Sequence, residues 1–219
     1  MRLICLDLEG VLVPEIWIAF SEATGIREFR RTTRDEPDYD KLMRYRIDLL
    51  AEHKLKLTDI QKVIGGIEPL PGALDFIRRL KERTQFVILS DTFEEFARPL
   101  MAKLDFPTLL CNNMDVAPDG FIKAHIMRQQ NGKKQAVAAF KSLNIKVFAA
   151  GDSFNDLAMI EEADSGCLFR APDKIKELYS HIPCVNSYDE LINLIDLFIS
   201  GSQADKNGDH TVNPIDNHP

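Results

Sequence analysis

The sequence predicts an α/β fold: a doubly wound, Rossmann-like parallel sheet with a small helical cap domain inserted after the first strand. Three observations predict it. Short continuous apolar runs recur at residues 3–6, 86–89, 108–111, 147–150 and 167–169, and such runs suit strands covered on both faces. Helical patterns alternate with them, which implies a sheet wound on both sides. Between Pro14 and Pro71 the alternation stops and only amphipathic helical patterns remain.

The first run, Leu3-Ile4-Cys5-Leu6, leads into Asp7-Leu8-Glu9-Gly10, where the glycine lets the backbone turn. Helices are then expected over 15–24, 39–53 and 57–64, the last with Thr58 ahead of Asp59 and Gln61 as its start signal. This insert, residues 14–71, reads as a cap over the sheet's carboxyl edge. The core domain takes residues 1–13 and 72–199. Past the Pro71-Gly72 breaker, Leu74, Ile77 and Leu80 mark one apolar helix face, and Phe93, Phe96, Leu100 and Leu104 mark the next. Segments 114–116 and 121–126 flank a turn at Asp119-Gly120 and predict a two-stranded flap. Val137, Phe140 and Leu143 mark a further helix, and residues 157–163 another.

From Ser200 the chain loses aliphatic periodicity and gathers Asn, Asp, Gly and Pro, which predicts a disordered polar tail over 200–219. Asp205, Asn207, Asp209 and Asp216 fall at calcium-loop positions. The required glycine is missing and no second helix follows, so the match is accidental.

A chain of 219 residues can bury one good core, or a core with a smaller insert. A net charge of −7 and the lack of a basic stripe with interleaved aromatics argue against nucleic acid as a partner. No apolar run is long enough to span a membrane, and the chain opens into a strand without a signal-peptide pattern. Cys5, Cys111, Cys167 and Cys184 have no CxxC spacing, and three of them lie within apolar runs. They read as small core hydrophobes in a reducing, cytoplasmic setting.

The chemistry gathers where predicted strands end. Asp7 is a candidate nucleophile: a carboxylate that attacks phosphorus splits one hard transfer into two easier ones. The plainer reading is a turn or N-cap aspartate. Glu9 is a candidate acid/base, provided a dry site beside other carboxylates raises its pKa. Asp152, at the end of its strand, is a metal-ligand candidate, because carboxylates with phosphate oxygens and waters make a hard-oxygen site that suits Mg²⁺. Asp156 either supports that site from behind or caps the helix that follows Ser153. Ser90 and a lysine would clamp phosphoryl oxygens. Lys133 and Lys134 are adjacent, and residue physics does not choose between them.

Taken in order, Asp7-Leu8-Glu9-Gly10, Ser90-Asp91-Thr92, Lys133 and Gly151-Asp152 with Asn155-Asp156 resemble the four motifs of the haloacid-dehalogenase-like phosphotransferases. The resemblance spans roughly residues 1–199. Within that superfamily the chain is similar to phosphoserine phosphatases, and more closely to the bacterial phosphoserine:homoserine phosphotransferase subgroup. That subgroup's first motif also reads Asp-Leu-Glu-Gly-Val-Leu-Val-Pro-Glu, and Thr32-Thr33-Arg34-Asp35, Ser90 to Phe93 and Phe106 to Cys111 fit it too.

The resemblance implies a Mg²⁺-dependent enzyme that takes phosphoserine through an aspartyl-phosphate and passes the phosphoryl group to water or homoserine. It implies Asp7 as nucleophile and metal ligand, Glu9 as a ligand through its backbone carbonyl, and Asp152 as the completing ligand. Glu15 and Arg46 would hold the amino-acid end of phosphoserine, while Ser90, Asp91, Lys133 and Asn155 would line the phosphate site. It favours Lys133 over Lys134 and leaves a homodimer open. A guanidinium fork on Arg46 suits a carboxylate, and Glu15 in a first helical turn can receive an ammonium. A surface ion pair and a dipole-complementing acid are the ordinary readings of those two residues. The common phosphatases carry Asp at the position of Glu9, and glycines where this chain has Asp91-Thr92. The competing expectations are a phosphatase for another small metabolite and a non-catalytic phosphoserine-binding protein.

Overall fold

A computed structural model of the chain describes residues 1–33, 35, 36 and 38–201. The expected tail beyond Gly201, with its calcium-like spacing, lies outside the described residues, as does Arg34. The elements run β1 (Arg2–Leu6), α1 (Ile16–Thr24), α2 (Tyr39–Glu52), α3 (Leu57–Gly66), α4 (Ala73–Lys81), β2 (Gln85–Phe93), α5 (Glu94–Lys103), β3 (Leu109–Val116) and β4 (Ile122–Ile126). They continue with α6 (Gly132–Ser142), β5 (Lys146–Gly151), α7 (Leu157–Glu162), β6 (Ser165–Phe169), α8 (Asp173–Leu178), β7 (Cys184–Val185) and α9 (Tyr188–Ser200). Single 3₁₀ turns occupy Arg27–Arg30 and Phe154–Asp156.

The strands form one sheet in the order β4-β3-β2-β1-β5-β6-β7, parallel except where β4 pairs antiparallel with β3. Side chains alternate across it. Ile4 and Leu6 of β1, Ile88 of β2 and Phe148 of β5 join the core on one face, with Phe76 of α4, Phe96 of α5 and Ile195 of α9. Leu3, Cys5, Val87 and Val147 join the other, with Val137 of α6, Met159 and Ile160 of α7 and Ile175 of α8. Each fully buried aliphatic side chain contributes about 1.5–3 kcal/mol of transfer free energy, so both faces must be covered. That cover is the doubly wound arrangement.

The strand order reverses at β1, which pairs in parallel with β2 on one side and β5 on the other. In open α/β sheets, the crevice at the carboxyl ends of such a pair is where ligands bind.

The stretch between β1 and α4 is helical, as expected. Asp38 caps α2 by accepting the Lys41 N–H at 3.1 Å. Trp17, Phe20, Phe29, Met43, Ile47, Ile60 and Ile64 of this insert are buried and belong to the same core cluster as the sheet face below. Polar ties hold the insert over the carboxyl edge. The Leu57 N–H donates to the Gly120 carbonyl (3.0 Å), Gln61 Nε2 to the Glu95 carbonyl (2.8 Å), and His125 Nε2 lies 2.9 Å from Asp40 Oδ1.

Several expectations need correction. The strand expected over 86–89 runs to Phe93, so Phe93 belongs to β2 and not to the following helix. Leu74 and Leu143 are exposed, because Ala73, Phe76, Ile77 and Leu80 form the inner face of α4 and α6 ends at Ser142. Helix α3 starts at Leu57 as expected, but Thr58 is not its start signal: Lys56 is the N-cap residue, with Asp59 Oδ2 accepting the Lys56 N–H at 2.8 Å. Ser200, placed in the expected tail, is the last residue of α9. The expected flap exists, but its first strand is the continuation of β3.

Candidate active site

Asp7 is the first residue beyond β1, and its N–H extends the β1–β5 ladder by donating to the Ala150 carbonyl at 3.0 Å. The chain then folds back on itself. The Gly10 N–H donates to the Val13 carbonyl, the N–H groups of Leu12 and Val13 both donate to Leu8, and Glu9 bridges Val13. Gly10 sits at φ +78°, and a Cβ there would lie 2.4 Å from Asp152 Cγ. Conformation and space both demand glycine. This turn brings the end of β1 against the end of β5, so that Asp7, Asp152 and Asp156 each offer an oxygen within 4.8 Å of the others.

Asp156 makes the contacts expected of a cap and also reaches the lysine. Its Oδ2 accepts the N–H groups of Asp152 (3.0 Å) and Ser153 (3.1 Å) and the Ser153 hydroxyl (3.0 Å), closing the turn that begins the next helix. Its Oδ1 accepts from Lys133 Nζ at 2.7 Å. Asp156 is fully buried, and a Cβ on Gly151 would lie 2.2 Å from its Cγ, so only glycine admits it.

Lys133, in the first turn of α6, is buried and stands 2.8 Å from Asp7 Oδ1, 2.7 Å from Asp156 and 3.6 Å from Asp91. Lys134 faces outward, 3.8 Å from Glu162. Burial works against the ammonium, but Asp156, Asp7 and Asp91 outweigh it and hold the pKa well above the ordinary lysine value. Burial, and then the Asp156 charge, push the Asp7 carboxyl upward against the pull of Lys133. Burial, with Asp156 and Glu15 adding to it, raises Asp152 to about 7. The acids outnumber the ammonium they enclose. Oxygen-only donors in a pocket short of positive charge fit a hard divalent cation, and the residues present fit that group.

Ser90, Asp91 and Thr92 form an irregularity within β2. Leu89 pairs with Leu110 and Phe93 with Asn112, so β2 carries extra residues between those pairs. The Ser90 hydroxyl accepts the Thr92 N–H at 3.2 Å and keeps its own proton to give. The Asp91 carbonyl accepts from Tyr39 Oη (2.9 Å) and Asn112 Nδ2 (3.1 Å), while its carboxylate accepts from Asn155 Nδ2 at 2.9 Å. Ser153 Oγ, which has Asp156 Oδ2 as its other partner, also meets Asn155 Oδ1.

Glu9 reaches the N-terminus of α1, where its Oε2 accepts the Ile16 N–H at 2.8 Å. Burial, followed by the charge of Glu15, raises its pKa to about 8. Glu15 is the exposed N-cap residue of α1.

Arg46, on α2, is buried. Its Nη2 donates to the Arg31 carbonyl at 2.8 Å, Nη1 lies 3.7 Å from the Met43 sulfur, and Nε has no hydrogen-bond partner among the described residues. Burial lowers its pKa to about 10 against the opposing pull of Tyr39, Glu9 and Glu15.

A cavity of about 240 Å³ joins these groups. Asp7, Glu9, Ser90, Asp91, Lys133, Asp152 and Asn155 line it together with Glu15 and Arg46. Asp156 stands behind Lys133 and does not line it. Every candidate site residue except Lys134 therefore falls in or directly behind one cavity. Trp17, Thr32, Thr33, Tyr39 and Phe93 also line it. The aromatics read from sequence as core, and their position as cavity wall follows only from how the insert sits on the sheet. Chemically, the cavity offers a carboxylate beside a cation, and a second acid of raised pKa, at one end. At the other it offers a guanidinium with no carboxylate partner among the described residues.

A family model for haloacid dehalogenase-like hydrolases matches residues 16–161. A protein of Pseudomonas syringae named phosphoserine phosphatase is 54% identical over 87% of this chain and 81% of its own length. One of Pseudomonas aeruginosa, named phosphoserine phosphatase ThrH, is 53% identical over 87% of this chain and 93% of its own. Among solved structures, a phospho-aspartyl intermediate analogue of phosphoserine phosphatase superposes with a TM-score of 0.73 at 21% identity, covering 88% of this chain and 98% of that one. A substrate-bound phosphoserine phosphatase gives 0.71 at 23%, covering 89% and 97%. At those identities the structural likeness speaks for the fold.

Proposed function

Because the chain belongs to the haloacid dehalogenase-like hydrolase family, we propose that it is a Mg²⁺-dependent phosphoserine phosphatase that also transfers the phosphoryl group to homoserine. One observation carries the substrate: the buried Nε of Arg46, without a partner, lines the same cavity as Asp7. A phosphate ester bearing a carboxylate satisfies both ends. Glu15, at the rim, then meets the ammonium. The names of the relatives at 53–54% identity support the same substrate.

In this reading Asp7 attacks phosphorus in line, and the bond from phosphorus to the serine oxygen breaks as Glu9 gives that oxygen its proton. Lys133 and the Ser90 hydroxyl stabilise charge on the phosphoryl oxygens as it develops. Glu9, now a carboxylate, takes the proton of the acceptor hydroxyl, whose oxygen attacks the aspartyl-phosphate and frees Asp7. Asp7, Asp152 and the Glu9 carbonyl would hold Mg²⁺, backed by Asp156, and the ion would supply the charge that lets a carboxylate approach a phosphate. The insert over residues 14–71 acts as the cap that keeps bulk water out. No described helix is long and apolar enough to cross a membrane.

The test is incubation with phosphoserine and Mg²⁺, with and without homoserine, quantifying free phosphate and phosphohomoserine. Free phosphate alone is expected without homoserine, and both products with it. No release from phosphoserine, with release from another phosphorylated metabolite, would replace the substrate. No release from any ester would leave a binding protein.

A further inference from the structure

Arg46 has no carboxylate within ion-pair distance among the described residues, yet it is only 6% exposed. A buried guanidinium without an anion is costly unless something else answers its charge. The indole of Trp17 does so: the Arg46 guanidinium carbon lies 4.6 Å from the centre of the ring. The indole is itself held. Phe29 stacks on it at 5.7 Å and 25°, and Phe20 and Phe96 abut it edge-on at 6.1 Å and 5.6 Å. Trp17 follows Glu15 by two positions and lies in α1, the helix whose N-terminus Glu9 holds.

Resting on the phosphoserine reading above, we infer that Trp17 is a positioning residue. It is the platform that fixes the plane of the Arg46 guanidinium and so sets selection for substrates carrying a carboxylate. The Arg31 carbonyl holds the guanidinium at Nη2 and the indole holds its face, which leaves Nε committed to no protein group. A planar carboxylate must then arrive in the guanidinium plane, and a guanidinium free to rotate would lose that demand. Cation–π contact is strongest where the pair is desolvated, and both side chains here are buried. A purely packing role for Trp17 would make no distinction between substrates with and without a carboxylate.

The chain has a single tryptophan, so its emission reports this site alone. In the Asp7→Asn protein with Mg²⁺, phosphoserine should shift the emission saturably, whereas inorganic phosphate should not. No shift, or the same shift with phosphate, overturns the inference. In turnover, Trp17→Leu should lower the preference for phosphoserine over an aryl phosphate, as a ratio of kcat/KM, by about tenfold. Trp17→Phe, which keeps an aromatic face, should restore most of it. Equal losses on both esters, with no rescue by Phe, would make Trp17 structural. A wild type that ignores phosphoserine but hydrolyses a phosphorylated hydroxy acid overturns the phosphoserine reading alone, and both variants are then scored on that ester by the same criterion.

Discussion

Nζ of Lys133 stands 2.8 Å from Oδ1 of Asp7, with both side chains buried. The Leu8 N–H donates to that same oxygen at 2.8 Å, so the protein's donors fall on one side of the carboxylate and Oδ2 takes none among the described residues. The lysine therefore orients the carboxylate as well as neutralising it.

Removing that cation should be costly to the fold. Lys133→Met leaves Asp7 and Asp156 buried against each other, and breaking one partner of a buried ion pair costs about 3–5 kcal/mol. Urea unfolding should register that loss, and adding Asp156→Asn should return part of it in a double-mutant cycle. A loss below about 1 kcal/mol, the range of an exposed pair, would mean that the cluster is not held together by charge.

Asp7→Asn should abolish turnover and keep the fold. The amide is isosteric but is a poor nucleophile, and it removes one charge facing the proposed metal. The thermal midpoint should stay near that of the wild type while phosphate release vanishes. Near-normal release, with no phosphorylated aspartate trapped on the wild type, would remove the covalent step.

Gly10→Ala should act through the metal. A methyl group there overlaps Asp152 and forces a residue with a side chain to φ +78°. Such strain costs of order 1–3 kcal/mol, and the displaced carboxylate is the proposed ligand. The Mg²⁺ concentration for half-maximal activity should rise by about tenfold or more. Chelator-treated wild type should recover with Mg²⁺ but not with Ca²⁺, which takes a larger and less compact oxygen shell. An unchanged Mg²⁺ requirement in Gly10→Ala would take Asp152 out of the metal site.

Legibility in the sequence followed the range of the interactions involved. Asp7 and Asp152 are local signals, each a carboxylate after an apolar run, and parallel pairing of β1 with β5 is enough to bring them together. The choice of Lys133 over Lys134 is different, since it depends on which way the first turn of α6 faces, and that is set by the sheet beneath it. Ser90 to Thr92 look like a strand end because the apolar run stops at Leu89, although the backbone of β2 continues through the irregularity to Phe93. Helix α9 carries its own signal, with Ser187 and Glu190 at capping-box spacing ahead of Leu191, Ile192 and Ile195. The two-residue strand β7 has no period to read. Tyr39 and Trp17 are ordinary core aromatics by pattern, and only the docking of the insert makes them walls of the cavity.

The sharpest expectation concerns Glu9. Its side chain spans from the Asp7 turn to the N–H of Ile16, and burial beside Glu15 holds its pKa at about 8. In the proposed mechanism that raised pKa lets Glu9 bring the proton that the departing serine oxygen needs. Once it has given up that proton, it can accept one from whichever hydroxyl lies beside the aspartyl-phosphate. On the proposed reading homoserine, with an ammonium for Glu15 and a carboxylate for Arg46, takes the site that serine leaves, so it should draw phosphoryl groups away from water. Glu9→Asp shortens the acid by one methylene, loosens the tie to Ile16 and leaves room for a water. The product ratio at saturating homoserine should move toward free phosphate. Glu9→Gln removes the proton carrier and should slow both routes by about 10²–10⁴-fold. A product ratio that Glu9→Asp leaves unchanged would mean that the length of this acid does not choose the acceptor.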